Sequence, residues 1–195
     1  MTLFKTCDQH QVDGVLGPVM PYFEQEPPRW AIRGKFFDRP THETGFIIDW
    51  NEGRTGNLLF KRAILQGMDE PFRREFGSGG EDRNFFKRMI EGGRVFVWCQ
   101  EAVAYEIVPP VRWKRSFMLR RALLRGKVSL VDPTSNALKV AKSALAIPAY
   151  TIALPFFLVL GQHQFMKYLV KTFDHLGRVL AFLGIEVVKE KYVTE

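Results

Sequence analysis

Two patterns of hydrophobic positions divide the chain into two parts. In the first part, short apolar runs at 12–19, 94–98 and 102–105 are bounded by polar or glycine-rich residues and predict β-strands. Apolar positions three or four residues apart predict helices among them. In the second part, a long apolar segment with few charges replaces the strands. The pattern therefore predicts an α/β domain over 1–127 and a helical tail over 128–195.

Weaker signals predict further elements in the first part. Residues 30–37 indicate a short helix, and residues 45–50 indicate a strand. Glycine and polar residues at 53–57 predict a turn, which leads into a strand at 58–60 and a helix near 62–66.

A glycine-rich stretch places two adjacent carboxylates at the start of a predicted helix. Gly79 and Gly80 can adopt positive φ, and Glu81 and Asp82 stand where a helix N-terminus favours negative charge. The helix itself is indicated by apolar residues at helical spacing and by a terminating glycine pair, namely Phe85, Phe86, Met89, Ile90 and Gly92-Gly93. The acids either cap this helix, which spacing alone favours, or form the edge of an active site.

Charge and composition narrow the classes of partner. The formal net charge of +7 and the pI of about 9.5 indicate an acidic partner, which is nucleic acid, anionic lipid or a phosphorylated substrate. Cys7 and Cys99 form no Cys-x-x-C pattern, and the four histidines lack ligand spacing, so neither a zinc site nor a disulfide framework is indicated. The first residues lack the apolar core of a secretory signal, so we expect no export.

A basic segment at 112–127 contains seven Lys or Arg residues and no acid. On a helix, Lys114, Arg121 and Arg125 fall in one stripe beside an apolar face. The stripe is either a solvated or lipid-contacting surface, or a site for a diphosphate. Nucleic acid is disfavoured because no helix-turn-helix, finger or RNP pattern accompanies the charge.

The tail combines a linker at 132–136, an uncharged segment at 143–161 and an amphipathic pattern over 163–191. The uncharged segment has about the length that spans a bilayer. Pro148 and Pro155 disfavour a straight helix, and lysines flank the segment on both sides, so an in-plane or re-entrant arrangement is favoured over a span. The amphipathic helix packs on the protein's own core or, the preferred interpretation, on a membrane surface.

Four segments together resemble the family 2 glycosyltransferases, and they occupy residues 13–23, 55–62, 79–86 and 102–112. The resemblance is to bacterial enzymes of the exopolysaccharide type, similar to succinoglycan glucosyltransferases, and covers about 1–127. It implies a GT-A-like (nucleotide-diphospho-sugar transferase) domain that inverts the anomeric centre. The implied reaction moves a sugar from a nucleotide-sugar donor to a growing, lipid-linked polysaccharide on the cytoplasmic face of a bacterial inner membrane.

The resemblance also assigns residues. Asp82 would be the general base for the acceptor hydroxyl, and Glu81 would position the acceptor or Asp82. Glu106 stands where many relatives carry a metal-binding histidine. Substrate-binding positions implied by the matched motifs are Thr55, Gly56, Asn57, Gly79 and Gly80. The family's basic segment adds Arg112, Arg120 and Arg121 as candidates to stabilise the leaving diphosphate.

The chain departs from the family pattern in its donor-binding features. The family holds a divalent metal, Mg or Mn, with an Asp-x-Asp motif, and this sequence contains none. Roughly a hundred residues of nucleotide-binding half would be missing, so the chain resembles the acceptor-side part of an enzyme. The sequence leaves three explanations open: a truncated gene product, a mis-called start, or one piece of a split protein whose nucleotide site a separate chain supplies. The alternative is an inactive, truncated fragment that serves as a membrane-bound acceptor-binding or partner subunit.

Overall fold

The computed structural model describes residues 2–73, 76, 79–130 and 136–185. Two compact units divide the chain. The α/β unit comprises Met1–Tyr22, Asp38–Arg74 and Gly80–Ile107, and the helical unit comprises Phe23–Phe37, Glu75–Gly79 and Val108–Glu195. The elements are, in chain order, α1 (Thr2–His10), β1 (Gly14–Leu16), β2 (Val19–Tyr22), α2 (Arg29–Arg33), β3 (Leu58–Phe60), α3 (Glu81–Glu91), β4 (Phe96–Trp98), β5 (Ala104–Ile107), α4 (Arg115–Val128), α5 (Asn136–Val159) and α6 (Gln162–Phe182).

A three-stranded sheet with the order β3-β1-β4 forms the centre of the α/β unit. The middle strand β1 pairs antiparallel with β3 and parallel with β4, so that Val15 stands opposite both Leu59 and Val97. Every residue of β1 and β4 is buried, as expected for the short continuous apolar runs that predict them.

Aromatic side chains fill the core between this sheet and α3. Phe85 and Phe86 of α3 and Phe96 of β4 are fully buried. The rings of Phe86 and Phe96 meet edge to face with their centroids 5.0 Å apart, a favourable geometry for aromatic pairs. Gly53 lies against Phe86, because a Cβ at Gly53 would stand 2.2 Å from that ring. The core therefore fixes both α3 and the loop that precedes β3.

A second sheet pairs β2 and β5 in parallel. One of its faces exposes large apolar side chains, whereas the other carries Val19 and Glu106, which are half-buried. The exposed residues are Met20, Tyr22, Tyr105 and Ile107.

The helical unit is built around α6, which packs against both α4 and α5. Its contact with α4 is made at glycines. A Cβ at Gly177 would lie 2.2 Å from the Leu123 carbonyl oxygen, and one at Gly126 would lie 2.2 Å from the Asp174 carbonyl oxygen. The two helix backbones approach this closely because neither glycine carries a side chain.

One helix among the described residues is long and apolar enough to cross a membrane, and it lies within α5 at Ala137–Val159. Its mean hydropathy is 1.5, and only 6% of the apolar window is buried. The helix continues through Pro148 and Pro155. The chain then turns at Gly161, whose φ of +120° suits glycine, and returns as α6. A helical hairpin results.

Most elements predicted from the sequence are confirmed. The helix α3 begins at Glu81 and ends before Gly92, and strands form at 58–60, 96–98 and 104–107. The strand predicted over 12–19 is two strands, because Gly17 and Pro18 separate β1 from β2.

Other predictions differ from the structure. Residues 45–50 form no strand. They contact β4 through one isolated bridge, between Ile47 and Val97, and through a few backbone hydrogen bonds. The predicted helix at 30–37 is shorter, and the one near 62–66 is a 3-10 turn at Arg62–Leu65. The helix predicted over 163–191 ends at Phe182. Residues 186–191 and most of the linker, 132–135, lie outside the described residues.

The structure also bears on how α6 packs. Met166, Thr172 and Gly177 are its buried positions, and the predicted apolar residues Phe165, Leu169, Phe173, Leu176 and Leu180 are half-buried. Leu183, after the helix, is exposed, and Val187 lies outside the described residues. Packing on the protein's own helices, the alternative that the sequence left open, therefore describes α6. The surface with exposed apolar residues belongs to α5 instead.

Candidate active site

Two segments that are distant in the sequence meet at Asp82. The Thr55 hydroxyl donates a 2.6 Å hydrogen bond to Asp82 Oδ1, and the Thr55 backbone N–H lies 3.4 Å from Oδ2. The N-cap of α3 is Gly80, and among the described residues no side chain caps this helix by a hydrogen bond. Asp82 therefore orients the loop before β3 rather than capping its own helix. The half-buried carboxylate keeps lone pairs for a further donor.

Glu81 directly precedes Asp82 and differs from it in its hydrogen bonding. Its Oε2 is buried and accepts no hydrogen bond from any described residue. A buried polar atom without a partner costs about 1–3 kcal/mol, so a donor on a bound molecule would be stabilised here. The position in the first turn of α3 also favours the negative charge of both acids.

The two glycines before α3 have the backbone conformation that the sequence predicts. The φ of Gly79 is +117° and that of Gly80 is +96°, both in the region that favours glycine. A Cβ at Gly79 would meet no described atom within 4 Å. The Gly80 carbonyl accepts the first backbone hydrogen bond of the helix, from Asn84 at 3.0 Å. These glycines set the direction in which Glu81 and Asp82 enter the site.

Asn57 connects the loop that carries Thr55 to two neighbouring segments of the chain. Its side-chain Nδ2 donates to the carbonyl oxygens of Pro18 at 3.1 Å and Ala102 at 2.6 Å, which precede β2 and β5. Both amide hydrogens are thus used within the protein, and Asn57 acts as a clamp between strands. Gly56 is open, because an added Cβ would first meet Val19 Cγ2 at 3.5 Å. The loop therefore presents Thr55 and Gly56 rather than the Asn57 amide.

Glu106 of β5 forms an ion pair with Arg39. Among the described residues, no group of three or more His, Cys, Asp and Glu side chains could hold a metal ion. The residues present therefore do not fit the divalent cation that the family resemblance implies, and Glu106 has a charged partner of its own.

Sequence reasoning missed two arginines next to the motif residues. Arg54 directly precedes Thr55, and Arg83 directly follows Asp82. Arg54 Nη1 donates to the Gly53 carbonyl at 2.6 Å, and the Arg83 guanidinium lies 5.4 Å from the centroid of the Trp50 ring. Arg54 directly precedes one matched segment and Arg83 lies within another, and these positions were the signal that could have identified them.

The pKa of Arg54 is influenced by the charged side chains around it. Partial desolvation, and then the positive charge of Arg83, lower the pKa of Arg54, whereas Asp82 raises it. Arg39 also lowers it. An arginine remains charged at neutral pH despite such shifts, so the α/β unit holds several cations near Asp82.

The arginines assigned by resemblance lie in the helical unit. Arg112 is in a 3-10 turn at Pro110–Trp113, and Arg120 and Arg121 are exposed on α4. Arg125, which shares the predicted basic stripe with Arg121, is paired with Asp174 of α6 at 3.0 Å. That part of the stripe is therefore committed to holding α4 against α6.

Comparison with known proteins gives one distant relative to report. The chain is 26% identical, over an alignment of 202 positions, to the succinoglycan biosynthesis protein ExoM of Rhizobium meliloti (strain 1021). The alignment covers 96% of this chain and 62% of the relative, so the chain spans less than two thirds of that protein's length. No protein-family model matches the chain, and no solved structure matches it.

Proposed function

We propose that this chain is the acceptor side of an inverting, GT-A-like glycosyltransferase of family 2 that acts in exopolysaccharide biosynthesis. Its reaction would transfer a sugar from a nucleotide-sugar donor to a growing, lipid-linked polysaccharide. The observation that carries the proposal is the hydrogen bond from Thr55 to Asp82, because it joins two of the motif segments on which the resemblance rests. The distant likeness to a succinoglycan biosynthesis protein points the same way.

Asp82 is the general base in this proposal. It accepts the proton of an acceptor hydroxyl while that oxygen attacks the anomeric carbon, and the nucleoside diphosphate leaves with the electrons of the broken C–O bond. A single displacement inverts the anomeric centre. Thr55 fixes one carboxylate oxygen of Asp82, so the remaining lone pairs face a defined direction. Glu81 Oε2 would accept a hydrogen bond from a second acceptor hydroxyl and position it.

Cationic side chains would stabilise the charge that develops on the departing diphosphate. The resemblance assigns this role to Arg112, Arg120 and Arg121. Arg54 and Arg83 are further candidates, since they flank Thr55 and Asp82 in the α/β unit. Gly79 and Gly80 would allow the substrate close to the backbone. We derive no step through a metal ion.

An Asp82→Asn substitution tests the proposal. The assay measures transfer of a radiolabelled sugar to a lipid-linked acceptor by a chimera in which this chain replaces the matched segment of ExoM. Loss of the base should lower the transfer rate by about 10²–10⁴-fold while nucleotide-sugar binding stays the same. Asp8→Asn, on the exposed surface of α1, is the matched control and should leave the rate unchanged. A near-parental rate for Asp82→Asn would remove Asp82 from the role of base.

A second candidate function is that of a non-catalytic, membrane-bound subunit that binds the acceptor or a partner chain. It is favoured by the absence of an Asp-x-Asp motif from the sequence and of a metal-binding group from the described residues. The chain assayed alone should then show no turnover above a buffer control, because the diphosphate clamp is missing. Measured turnover by the isolated chain would exclude this candidate.

We also propose that the protein works at the cytoplasmic face of a bacterial inner membrane. Support comes from the apolar, exposed helix α5 and from the positive net charge, which suits anionic lipid.

A further inference from the structure

The depth of α5 in a membrane is constrained by the helix that packs along it. Arg178 of α6 donates a 2.8 Å hydrogen bond to the Ser143 hydroxyl near the start of α5. Tyr168, earlier in α6, stacks on Phe157 near the end of α5 at 3.5 Å between ring centroids. The two helices are therefore antiparallel and in contact along most of the length of α5.

The helix α4 extends the same layer on the other side of α6. Arg115 at its start bonds to Gln162 at the start of α6 across 3.1 Å, and Arg125 pairs with Asp174 farther along. The Ser129 hydroxyl, just after α4, accepts a 2.8 Å hydrogen bond from Arg178. Any depth that α5 reaches in a bilayer is thus shared by α6 and, through it, by α4.

This arrangement opposes a spanning position for α5. Tyr150 lies near the middle of α5, and the centroid of its ring is 5.7 Å from that of the His175 ring. Lys171 and Asp174 stand within one turn of His175 on α6, and Arg125 pairs with Asp174. A charged side chain at the centre of a bilayer is disfavoured by roughly 10²-fold, and several would be carried there together.

The outward side of α5 has the opposite character. Leu145, Ile152, Phe156 and Val159 are 76%, 80%, 63% and 86% exposed. The sequence has no charged residue from Ser143 to Gly161. Side chains turned toward α6, such as Ser143, are buried in polar contacts instead. A continuous apolar surface of this kind marks an interaction site, and its length and lack of charge fit acyl chains.

We propose that the helical unit is monotopic and that α5 lies in the plane of one leaflet. The outward face of α5 enters the acyl chains, and the charged residues of α4 and α6 stay at headgroup level or in water. Lys171 is exposed and suits anionic headgroups. The proposal rests on the membrane association proposed above and not on sugar transfer, so an inactive chain would satisfy it equally.

Labelling of the hairpin turn distinguishes a monotopic arrangement from a span. Gln162→Cys places a thiol at the turn, and Gln9→Cys places a control thiol on exposed α1. Cys7 and Cys99 are buried, and the parent protein measures their background. Membrane-impermeant maleimide is applied to inverted and to right-side-out vesicles. Both thiols should react in the inverted vesicles alone. Reaction of the turn from the side opposite to Gln9→Cys would show that α5 spans the bilayer and overturn the proposal.

Vesicle binding by the full chain tests which surface meets the lipid. Ile152→Lys introduces a charge on the outward face of α5, and Ser116→Lys introduces one on exposed α4. With vesicles of phosphatidylcholine and phosphatidylglycerol, Ile152→Lys should lower the partition coefficient about 10- to 100-fold, because an aliphatic side chain leaves the lipid. Ser116→Lys should not lower it.

Circular dichroism and the oligomeric state are also measured for the parent and for both variants. Helical circular dichroism should be the same for both variants, because Ile152 is exposed and its loss removes little packing. If Ile152→Lys binds vesicles like the parent but dissociates a dimer, a second copy of the chain covers α5 and the proposal is wrong.

Discussion

The two units of this protein place their large apolar side chains in opposite directions. In the α/β unit, Phe85, Phe86 and Phe96 are fully buried around a three-stranded sheet. In the helical unit, α5 turns Ile152 and Val159 outward. The α/β unit thus buries its large apolar side chains within itself. The apolar side chains on α5 remain exposed, and only an apolar environment would remove them from water. This difference agrees with the proposals above, in which the α/β unit bears the site and the helical unit binds the membrane.

The contacts between its helices explain how the helical unit is stabilised without an aromatic core like that of the α/β unit. Gly126 and Gly177 allow close backbone contact. Ser143 is fully buried within an apolar helix and bonds to His175 at 3.0 Å and to Arg178 at 2.8 Å. Close backbone contact at small residues and hydrogen bonds between polar side chains therefore stabilise the association of these helices.

Truncation of one phenylalanine in each unit should give the largest contrast. Phe86→Ala removes a fully buried ring and should reduce the free energy of unfolding of the α/β unit by about 3–5 kcal/mol. Phe156→Ala removes a ring that is 63% exposed on α5, and it should change the free energy of unfolding of the helical unit by no more than about 0.5 kcal/mol. Urea unfolding in mild detergent measures both. Equal losses would erase the distinction between the units.

A methyl group at the glycine contact tests the packing inside the helical unit. Gly177→Ala places a Cβ 2.2 Å from the Leu123 carbonyl oxygen, so α4 and α6 must separate. We expect a loss of about 1–3 kcal/mol in the free energy of unfolding, measured by denaturation in detergent. Gly56→Ala is the control, because its Cβ would make only ordinary contacts, the nearest at 3.5 Å. A Gly177→Ala protein as stable as the parent would mean that the two helices are not held at this distance.

The smallest expected effect is a dependence on pH through His175. Burial first, and the charge of Arg178 second, lower the pKa of His175, whereas Asp174 raises it and Lys171 lowers it. The unfolded chain then binds the proton first as the pH falls below about 6.5, so stability is greatest above that pH and declines toward the pKa of the folded state. The melting temperature should be lower at about pH 5.5 than at about pH 7.5.

His175→Gln isolates this contribution. It should narrow the difference in melting temperature between the two pH values, whereas His10→Gln, on the exposed surface of α1, should not. An unchanged pH dependence in His175→Gln would assign the effect to other groups.

The sequence predicts the α/β unit better than the site. The helix α3 could be predicted because its apolar residues repeat at helical spacing and a glycine pair ends it. Residues 45–50 were wrongly predicted as a strand, because the segment makes only one bridge to β4, between Ile47 and Val97, and apolar content alone does not set the length of a strand pairing. The contact between Thr55 and Asp82 joins positions 27 residues apart, and no local pattern encodes such a contact.

The helical unit shows a different limit of sequence reasoning. Pro148 and Pro155 predicted that a helix here would not be straight, and the structure shows that α5 continues through both and that the chain turns at Gly161. Proline removes one hydrogen bond of a helix but does not end it where the rest of the helix is stabilised. The apolar stripe of α6 suggested a membrane surface, but hydrophobic periodicity does not distinguish lipid from neighbouring helices. Only the packing of α6 against α4 and α5 settles that point.

A double-mutant cycle on the ExoM chimera tests whether the contact between Thr55 and Asp82 serves the proposed sugar transfer. Thr55→Val should slow transfer because Asp82 loses its orienting donor, and Thr55→Ser should restore the rate. Since both residues act as one unit, Thr55→Val combined with Asp82→Asn should be no slower than Asp82→Asn alone. A parental rate for Thr55→Val, or losses that multiply in the double variant, would show that this contact only shapes the loop.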